Sequence, residues 1–326
     1  MAKPKVVVTR KLPASVEAEI AAQFDAHFNA NDVAMTAAQI AEAMKYADGL
    51  LCTVGDKITE EHFTVDRRSV KIVANFGVGV NHINTAAAKK AGVTVTNTPD
   101  VLTDDTADIA LALIIMTMRR LGEGERHVRS GAWSGWRPTH MMGQSLRGKT
   151  IGIIGYGRIG RAVANRAALA LGMRVIWFAP REPAAYDADS AGPADAVRVH
   201  SLEELLRASD VVSLHCPSTP ETRHLINTER LMMMKSTAVL VNTARGDVVD
   251  EYALAQALRD QVIAGAGLDV YEFEPAVIPD LRELERVVLL PHLGSNGVET
   301  RLAMGRMALA NLTAFFDGAE PPNRVV

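Results

Sequence analysis

The sequence predicts an α/β protein of two domains, each a parallel sheet covered by helices on both faces. Two series of alternating strand-like and helix-like segments carry that expectation, one before Pro99 and one from Thr150 to Leu290. The third observation is a long helical pattern after Pro291, beyond the second series. We expect this helix to return to the first domain. That makes the first domain discontinuous, 1–99 with 292–326, around a second domain at 100–291. A chain of 326 residues suits two cores of ordinary size better than one.

The elements follow in order. Lys5 to Thr9 reads as a strand, and Ala14 to Phe24 as a helix with Val16, Ile20 and Phe24 at helical spacing. Thr36 to Met44 is a helix with Thr36 as its N-cap. Gly49 to Val54 and Lys71 to Asn75 are strands, the second running into Phe76-Gly77-Val78-Gly79. Thr85 to Ala91 is a short helix closed by Gly92, and Val93 to Asn97 a strand. After Thr98-Pro99, Asp104 to Arg120 is a helix so apolar between Ile109 and Met116 that burial on most sides is expected, between two domains or two subunits. Ser130 to Gly148 lacks periodicity and reads as a linker or arm.

The second series opens with the strand Thr150 to Ile154, the helix Arg158 to Leu171 and the strand Arg174 to Phe178. Leu202 to Ala208 and Glu251 to Arg259 are helices. Val211 to His215, Ala238 to Asn242, Gly265 to Val270 and Val287 to Leu290 are strands, and Val298 to Phe316 is the closing helix.

Composition narrows the function. The chain is 48% hydrophobic and 22% charged, with a formal net charge of -3 and no long block of one sign. Neither nucleic acid nor an anionic membrane is expected as a partner. No uncharged apolar run approaches the length that spans a bilayer. The start, Met1 to Arg10, lacks the features of a signal peptide, so a cytoplasmic location is expected. Cys52 and Cys216 each sit in an apolar strand-like run and read as reduced core thiols, and no metal site is expected.

The strongest motif is Gly155-Tyr156-Gly157-Arg158-Ile159-Gly160, placed between the strand Ile151 to Ile154 and a helix with Ile159, Ala162, Val163 and Ala167 on one face. A bare motif of this kind is weak evidence; its position after a strand and before a helix makes it strong. The first glycine permits a tight turn, the second lets backbone approach a pyrophosphate, and the third lets helix and strand pack closely. The helix N-terminus then offers free N–H groups to phosphate. This is the loop of a Rossmann-type, doubly wound dinucleotide-binding domain. An acidic residue about 20 positions later would normally bind the ribose hydroxyl of NAD. Here Ala179-Pro180-Arg181 stands at that strand tip. A cation there neutralises a 2′-phosphate, so NADP(H) is the expected preference; a merely solvated Arg181 would leave NAD(H) acceptable too.

Arg245, Glu274 and His292 follow three predicted strands, at the carboxyl ends where such sheets bind ligands. Reduction of a 2-oxo acid needs these three residue types. A guanidinium can hold the substrate carboxylate in a bidentate pair. A histidine can give the carbonyl oxygen its proton, and a carboxylate beside it favours the protonated, oriented ring. Taken singly each is an ordinary residue; downstream of a dinucleotide loop they form a set.

With these motifs together, the sequence resembles the D-isomer-specific 2-hydroxyacid dehydrogenases over essentially its whole length. The resemblance rests on Gly155 to Gly160, Asn242 to Glu251, Gly267 to Pro275 and Pro291 to Ser295. It implies a flavodoxin-like substrate domain built from both chain ends around the inserted Rossmann domain. It also implies catalytic roles for Arg245, Glu274 and His292, and that Asp269 holds the nicotinamide carboxamide. By the same analogy, backbone groups of Val78 and Gly79 bind the substrate carboxylate and Thr106 contacts the cofactor. His215, Pro217, Thr222, Thr243 and Gly294 complete the implied cofactor set beside Gly155, Gly157, Arg158, Ile159, Gly160 and Arg181.

Within the family, Asn97 to Asp104 and Gly131 to Trp136 look most like the glyoxylate and hydroxypyruvate reductases. That implies a homodimer in which Trp136 reaches the partner subunit's substrate pocket; the alternative is a Trp that only packs the arm. D-lactate, phosphoglycerate or phosphite remain alternative substrates, phosphoglycerate being disfavoured because the chain ends soon after Phe316. A dinucleotide-sensing binding protein is the alternative of another class. The sequence departs from the family pattern at two places: Ala179 replaces the usual Asp, and Ser295-Asn296-Gly297 follows the catalytic His atypically.

Overall fold

A computed structural model describes residues 2–181 and 192–326. It divides into two compact units, Met1–Leu102 with Asn296–Val326, and Thr103–Ser295.

Unit 1 holds the strands β1 (Lys5–Val8), β2 (Asp25–Phe28), β3 (Gly49–Thr53), β4 (Ile72–Phe76) and β5 (Thr94–Thr96). All pair in parallel in the order β2-β1-β3-β4-β5, the flavodoxin-like arrangement. Helices α1 (Ala14–Gln23), α2 (Ala37–Tyr46), α3 (Glu60–Phe63) and α4 (Thr85–Lys90) connect them. Thr36 caps α2 reciprocally: its hydroxyl accepts from the Gln39 amide at 3.3 Å, and the Gln39 side chain accepts from the Thr36 amide at 2.8 Å. Strand β2 was not legible as a strand, because Asp-Ala-His-Phe at the sheet edge buries no side chain fully.

Unit 2 begins with α5 (Thr103–Met118) and α6 (Leu121–Arg129). The series β6 (Thr150–Ile154), α7 (Arg158–Leu171), β7 (Arg174–Phe178), β8 (Val197–Arg198), α8 (Leu202–Ala208) and β9 (Val211–Leu214) follows. It continues with α9 (Thr228–Leu231), β10 (Val239–Asn242), α10 (Glu251–Arg259), β11 (Gly265–Leu268), α11 (Pro279–Arg282) and β12 (Val287–Leu289). The sheet is wholly parallel, ordered β12-β11-β10-β9-β6-β7-β8. Six of these strands reproduce the dinucleotide-binding order, which reverses between β6 and β9. Ligands of such sheets bind outside the carboxyl ends at that reversal.

Two helices at the start of unit 2 bear on the sequence reading. Helix α5 is fully buried only on the face carrying Ala110, Leu113, Ile114, Thr117 and Met118; Leu111, Ala112, Ile115 and Met116 stay partly exposed. One helix face meets α7 and the sheet of the same chain. Residues 121–129, left unassigned by periodicity, form α6, which buries no residue and opens with a two-pronged Arg120–Glu123 ion pair.

The chain then returns to unit 1 as α12 (Val298–Phe316), which packs on β4 and α1. Gly305 lets it approach closely, since a Cβ there would stand 2.6 Å from Val16. Burying Leu312 alone contributes about 1.5–3 kcal/mol. The buried Asn311 accepts from the Asn323 amide, and the Val325 amide donates to the Val95 carbonyl, sewing the terminal segment onto β5. The passage between units falls after Ser295, not at the Pro291–His292 joint. His292, Leu293 and Gly294 are all hydrogen-bonded to Asp269 of unit 2, which holds that segment on the dinucleotide-type sheet.

Among the described residues no helix is long and apolar enough to cross a membrane, and no group of three His, Cys, Asp or Glu could hold a metal. Cys52 and Cys216 are buried and unbridged.

Candidate active site

The phosphate loop leaves β6 through Gly155 at φ +90°, a conformation that favours glycine. A Cβ there would lie 2.6 Å from the His215 and Cys216 backbone, where β9 ends beside it. At Gly157, the N-cap of α7, a Cβ would meet nothing within 4 Å, and no side chain caps the helix. At Gly160 it would meet the Gly155 carbonyl at 2.2 Å. One glycine turns, one faces open space, and one packs, as pyrophosphate binding requires. Arg158 and Ile159 are the first residues of the uncapped helix.

The surrounding strand tips fit a dinucleotide too. Thr243, just after β10, has a buried hydroxyl with no partner among the described residues, an orphan that a ligand would satisfy. Ser213 Oγ lies 2.8 Å from His215 Nε2, and burial pushes the His215 imidazole down to about 3, so it is neutral at pH 7. The Thr222 hydroxyl donates to the Pro217 carbonyl at 2.6 Å and closes the loop after β9. Arg181 is exposed past the tip of β7. Its charge reaches Glu221, whose carboxyl is held below its ordinary value first by the Thr219 hydroxyl and then by its own amide, with Arg181 assisting.

Three strand ends supply the polar set. After β10, Asn242 clamps a turn: its Oδ1 accepts from the Ala244 amide at 3.0 Å and its Nδ2 donates to the Arg245 carbonyl at 2.8 Å. A guanidinium N–H of Arg245 donates to the Ala244 carbonyl at 2.6 Å. Burial lowers the Arg245 pKa, while Glu274 and Asp247 pull it back up. Gly246 is obligatory, because a Cβ would fall 1.8 Å from the Tyr271 backbone. After β11, the Tyr271 amide donates to Glu274 Oε1 at 2.9 Å.

After β12, His292 Nδ1 lies 2.8 Å from Glu274 Oε2. An ionised carboxylate only accepts, so Nδ1 carries the hydrogen and Nε2 is the ring nitrogen left for another partner. Burial works to raise the Glu274 pKa, but the His292 hydrogen bond and charge, the Tyr271 amide and Arg245 together hold it below its ordinary value. His292 itself sits at φ +56°, an uncommon conformation for a non-glycine residue. Asp269 fixes it there. The Asp269 carbonyl accepts from the His292 amide at 2.9 Å, and its carboxylate accepts from the Leu293 and Gly294 amides at 2.7 and 2.8 Å. Burial raises the Asp269 pKa, offset only in part by those amides and the His292 charge. Thr106 Oγ1 donates to the Gly294 carbonyl at 2.9 Å.

Unit 2 thus gathers Arg245, Glu274, His292 and Asp269 just past the carboxyl ends of three neighbouring strands. Val78 and Gly79 belong to unit 1, after β4, and both are half-buried. Trp136 is 81% exposed on the arm. The sequence reading missed Asn242 and Tyr271, which hold Arg245 and Glu274 through hydrogen bonds that no spacing rule announces.

A dinucleotide cradle beside a carboxylate-held histidine and an arginine defines an oxidoreductase that works with a nicotinamide dinucleotide. Comparison with known proteins agrees. Residues 111–294 match the model of the D-isomer specific 2-hydroxyacid dehydrogenase NAD binding domain. A glyoxylate reductase of Thermococcus litoralis is 42% identical over 99% of this chain and 97% of its own. A solved Thermus thermophilus protein superimposes with a TM-score of 0.88 at 42% identity, covering 99% of this chain and 100% of that one. The NADPH-dependent glyoxylate/hydroxypyruvate reductase of Sinorhizobium meliloti, solved with NADP and malonate, gives a TM-score of 0.84 at 35% identity, covering 100% and 97%. The chain belongs to the D-isomer-specific 2-hydroxyacid dehydrogenase family.

Proposed function

We propose that the protein reduces a small 2-oxo acid, glyoxylate or hydroxypyruvate, to the 2-hydroxy acid, with NADPH preferred over NADH. The observation that carries this reading is the His292 ring held through Nδ1 by Glu274, which leaves Nε2 as the ring nitrogen not used in that contact. His292 Nε2 donates the proton to the carbonyl oxygen. Glu274 keeps the ring oriented and stabilises its protonated form. The Arg245 guanidinium binds the substrate carboxylate. Bound nicotinamide supplies the reducing hydride. Arg158, Ile159 and the three glycines carry the pyrophosphate, Thr243, Thr106, His215, Pro217, Thr222 and Gly294 flank the cofactor, and Asp269 turns toward its carboxamide.

Arg181 at the tip of β7, where Ala179 takes the place of the ribose-binding acid, supports the NADPH preference. In unit 1, the backbone at Val78 and Gly79 serves as a carboxylate-binding site. The partly open stripe on α5 and the exposed Trp136 support a homodimer in which Trp136 serves the partner's pocket. A cytoplasmic location completes the reading.

The test is reduction of glyoxylate and hydroxypyruvate followed at 340 nm with each cofactor. Turnover with higher kcat/KM for NADPH is the expected result. Turnover favouring NADH removes the Arg181 argument and keeps the reaction class. No turnover with any small 2-oxo acid, together with tight NADPH binding, would replace the enzyme by a dinucleotide-sensing protein.

A further inference from the structure

Three consecutive carbonyls follow β4 of unit 1, and side chains pull all of them inward. Asn75, fully buried on β4, donates through Nδ2 to the Gly77 carbonyl at 2.9 Å and to the Gly79 carbonyl at 3.0 Å. Between them the Val78 carbonyl accepts from Asn97 Nδ2 at 2.9 Å. The Gly77 carbonyl also accepts from the Thr98 amide at 3.0 Å. Two carbonyl acceptors fix which end of the Asn75 amide is nitrogen, so its Oδ1 must accept. It lies 3.1 Å from His82 Nε2, which therefore carries the hydrogen. Both ends of this one buried amide are used, and the turn has a single arrangement.

The consequence lies on the other side of the backbone. With the carbonyls engaged, the Val78 and Gly79 amides have no hydrogen-bond partner among the described residues, and both residues are partly exposed. Successive unpaired amides with their carbonyls turned away make an anion-binding concavity. A carbonyl swung outward would oppose a carboxylate instead. Gly77 is part of the same fit, because a Cβ there would stand 2.9 Å from Val54 and 3.4 Å from Asn75 Nδ2.

We propose that Asn75, with Asn97 and His82, is a positioning network that presents the Val78 and Gly79 amides to the carboxylate of the 2-oxo acid. The proposal rests on the reading of that backbone as the unit 1 carboxylate site. These side chains do not touch the substrate. They set its affinity by holding the amides in one orientation, and the cofactor is indifferent to them.

The test is steady-state kinetics of the intact enzyme with glyoxylate and NADPH, and inhibition by oxalate. Asn75→Ala is expected to raise KM for glyoxylate and Ki for oxalate together, by about tenfold, the scale of one or two lost buried hydrogen bonds. Its kcat and KM for NADPH stay within about twofold. Asn97→Ala and His82→Phe move the same two constants by about threefold each.

Gly79→Pro deletes one amide donor and leaves Asn75 in place, which separates the two readings. If Gly79→Pro and Asn75→Ala both raise the glyoxylate KM, the network acts through the amides. If only Gly79→Pro does, the carboxylate site stands and the positioning role is overturned. If Gly79→Pro has no effect, the carboxylate reading fails and the proposal with it. Equal losses in kcat and in both KM values for Asn75→Ala would mean general structural damage and also overturn the proposal. Should Asn75→Ala not fold, Asn97→Ala and His82→Phe decide by the same criteria.

Discussion

Glu274 and His292 are 18 positions apart, yet Oε2 of the first lies 2.8 Å from Nδ1 of the second. The contact closes because β11 and β12 are parallel neighbours, so their carboxyl ends emerge side by side. Tyr271 holds the carboxylate from one end and Asp269 holds the histidine backbone from the other. If this pair is the proton-delivery unit, His292→Ala lowers kcat by about 10² to 10⁴. Glu274→Gln keeps the shape and removes the charge, and loses less. Kinetics under saturating NADPH measure both; kcat unchanged in His292→Ala would refute the donor role.

The same pair makes a pH prediction. The Glu274 pKa is depressed below its ordinary 4.5 in the folded protein. A depressed carboxylate contributes stability that is fully present above its unfolded value and is lost as pH falls through the folded value. The melting temperature of the native protein minus that of Glu274→Gln is therefore level from pH 7 down to about 5, and shrinks only below the ordinary carboxylate range. A difference that already shrinks between pH 7 and 6 contradicts this.

If Arg181 meets the 2′-phosphate as proposed, Arg181 and Glu221 bear on cofactor choice in opposite senses. Arg181→Ala is expected to raise KM for NADPH by about tenfold with little change for NADH, the signature of a lost phosphate contact. Glu221 shares the field of Arg181, so Glu221→Gln lowers the NADPH KM by about two- to threefold. Identical effects on both cofactors would show that Arg181 does not meet the 2′-phosphate.

Two glycines of the phosphate loop separate binding from folding. Gly157→Ala adds a methyl group that meets no protein atom within 4 Å, so the melting temperature stays near native while KM for NADPH rises. Gly160→Ala drives a methyl to 2.2 Å from the Gly155 carbonyl, and costs about 1–3 kcal/mol of stability. Thermal melts with and without NADPH distinguish them; destabilisation by Gly157→Ala would show that its open face serves folding.

What could be read from the residues followed their physics. Fully buried strands such as Ile151 to Ile154 are continuous apolar runs, and the Gly155 to Gly160 spacing encodes a backbone requirement, so both were visible. Helix α6 was not, because ion pairs such as Arg120–Glu123 hold it without an apolar stripe. The exposed edge strands β2 and β8 were also missed: two-residue β8 exposes both side chains. Arg245, Glu274 and His292 were legible as residue types at strand ends. Asn242 and Asn75 were not, since a buried amide that ties a turn looks in sequence like any other asparagine until its partners are located.

The passage of the chain from one unit to the other and back has a consequence for biosynthesis. All of unit 2 is a continuous stretch, whereas unit 1 needs α12 against Val16 and Val325 beside Val95. On the ribosome, the first hundred residues must wait with part of one sheet face uncovered until nearly two hundred more have been made. The dinucleotide-type unit, begun second, is the first that can be completed. A nascent chain halted before α12 would carry a finished second unit attached to a first unit still lacking the helix that packs on β4 and α1.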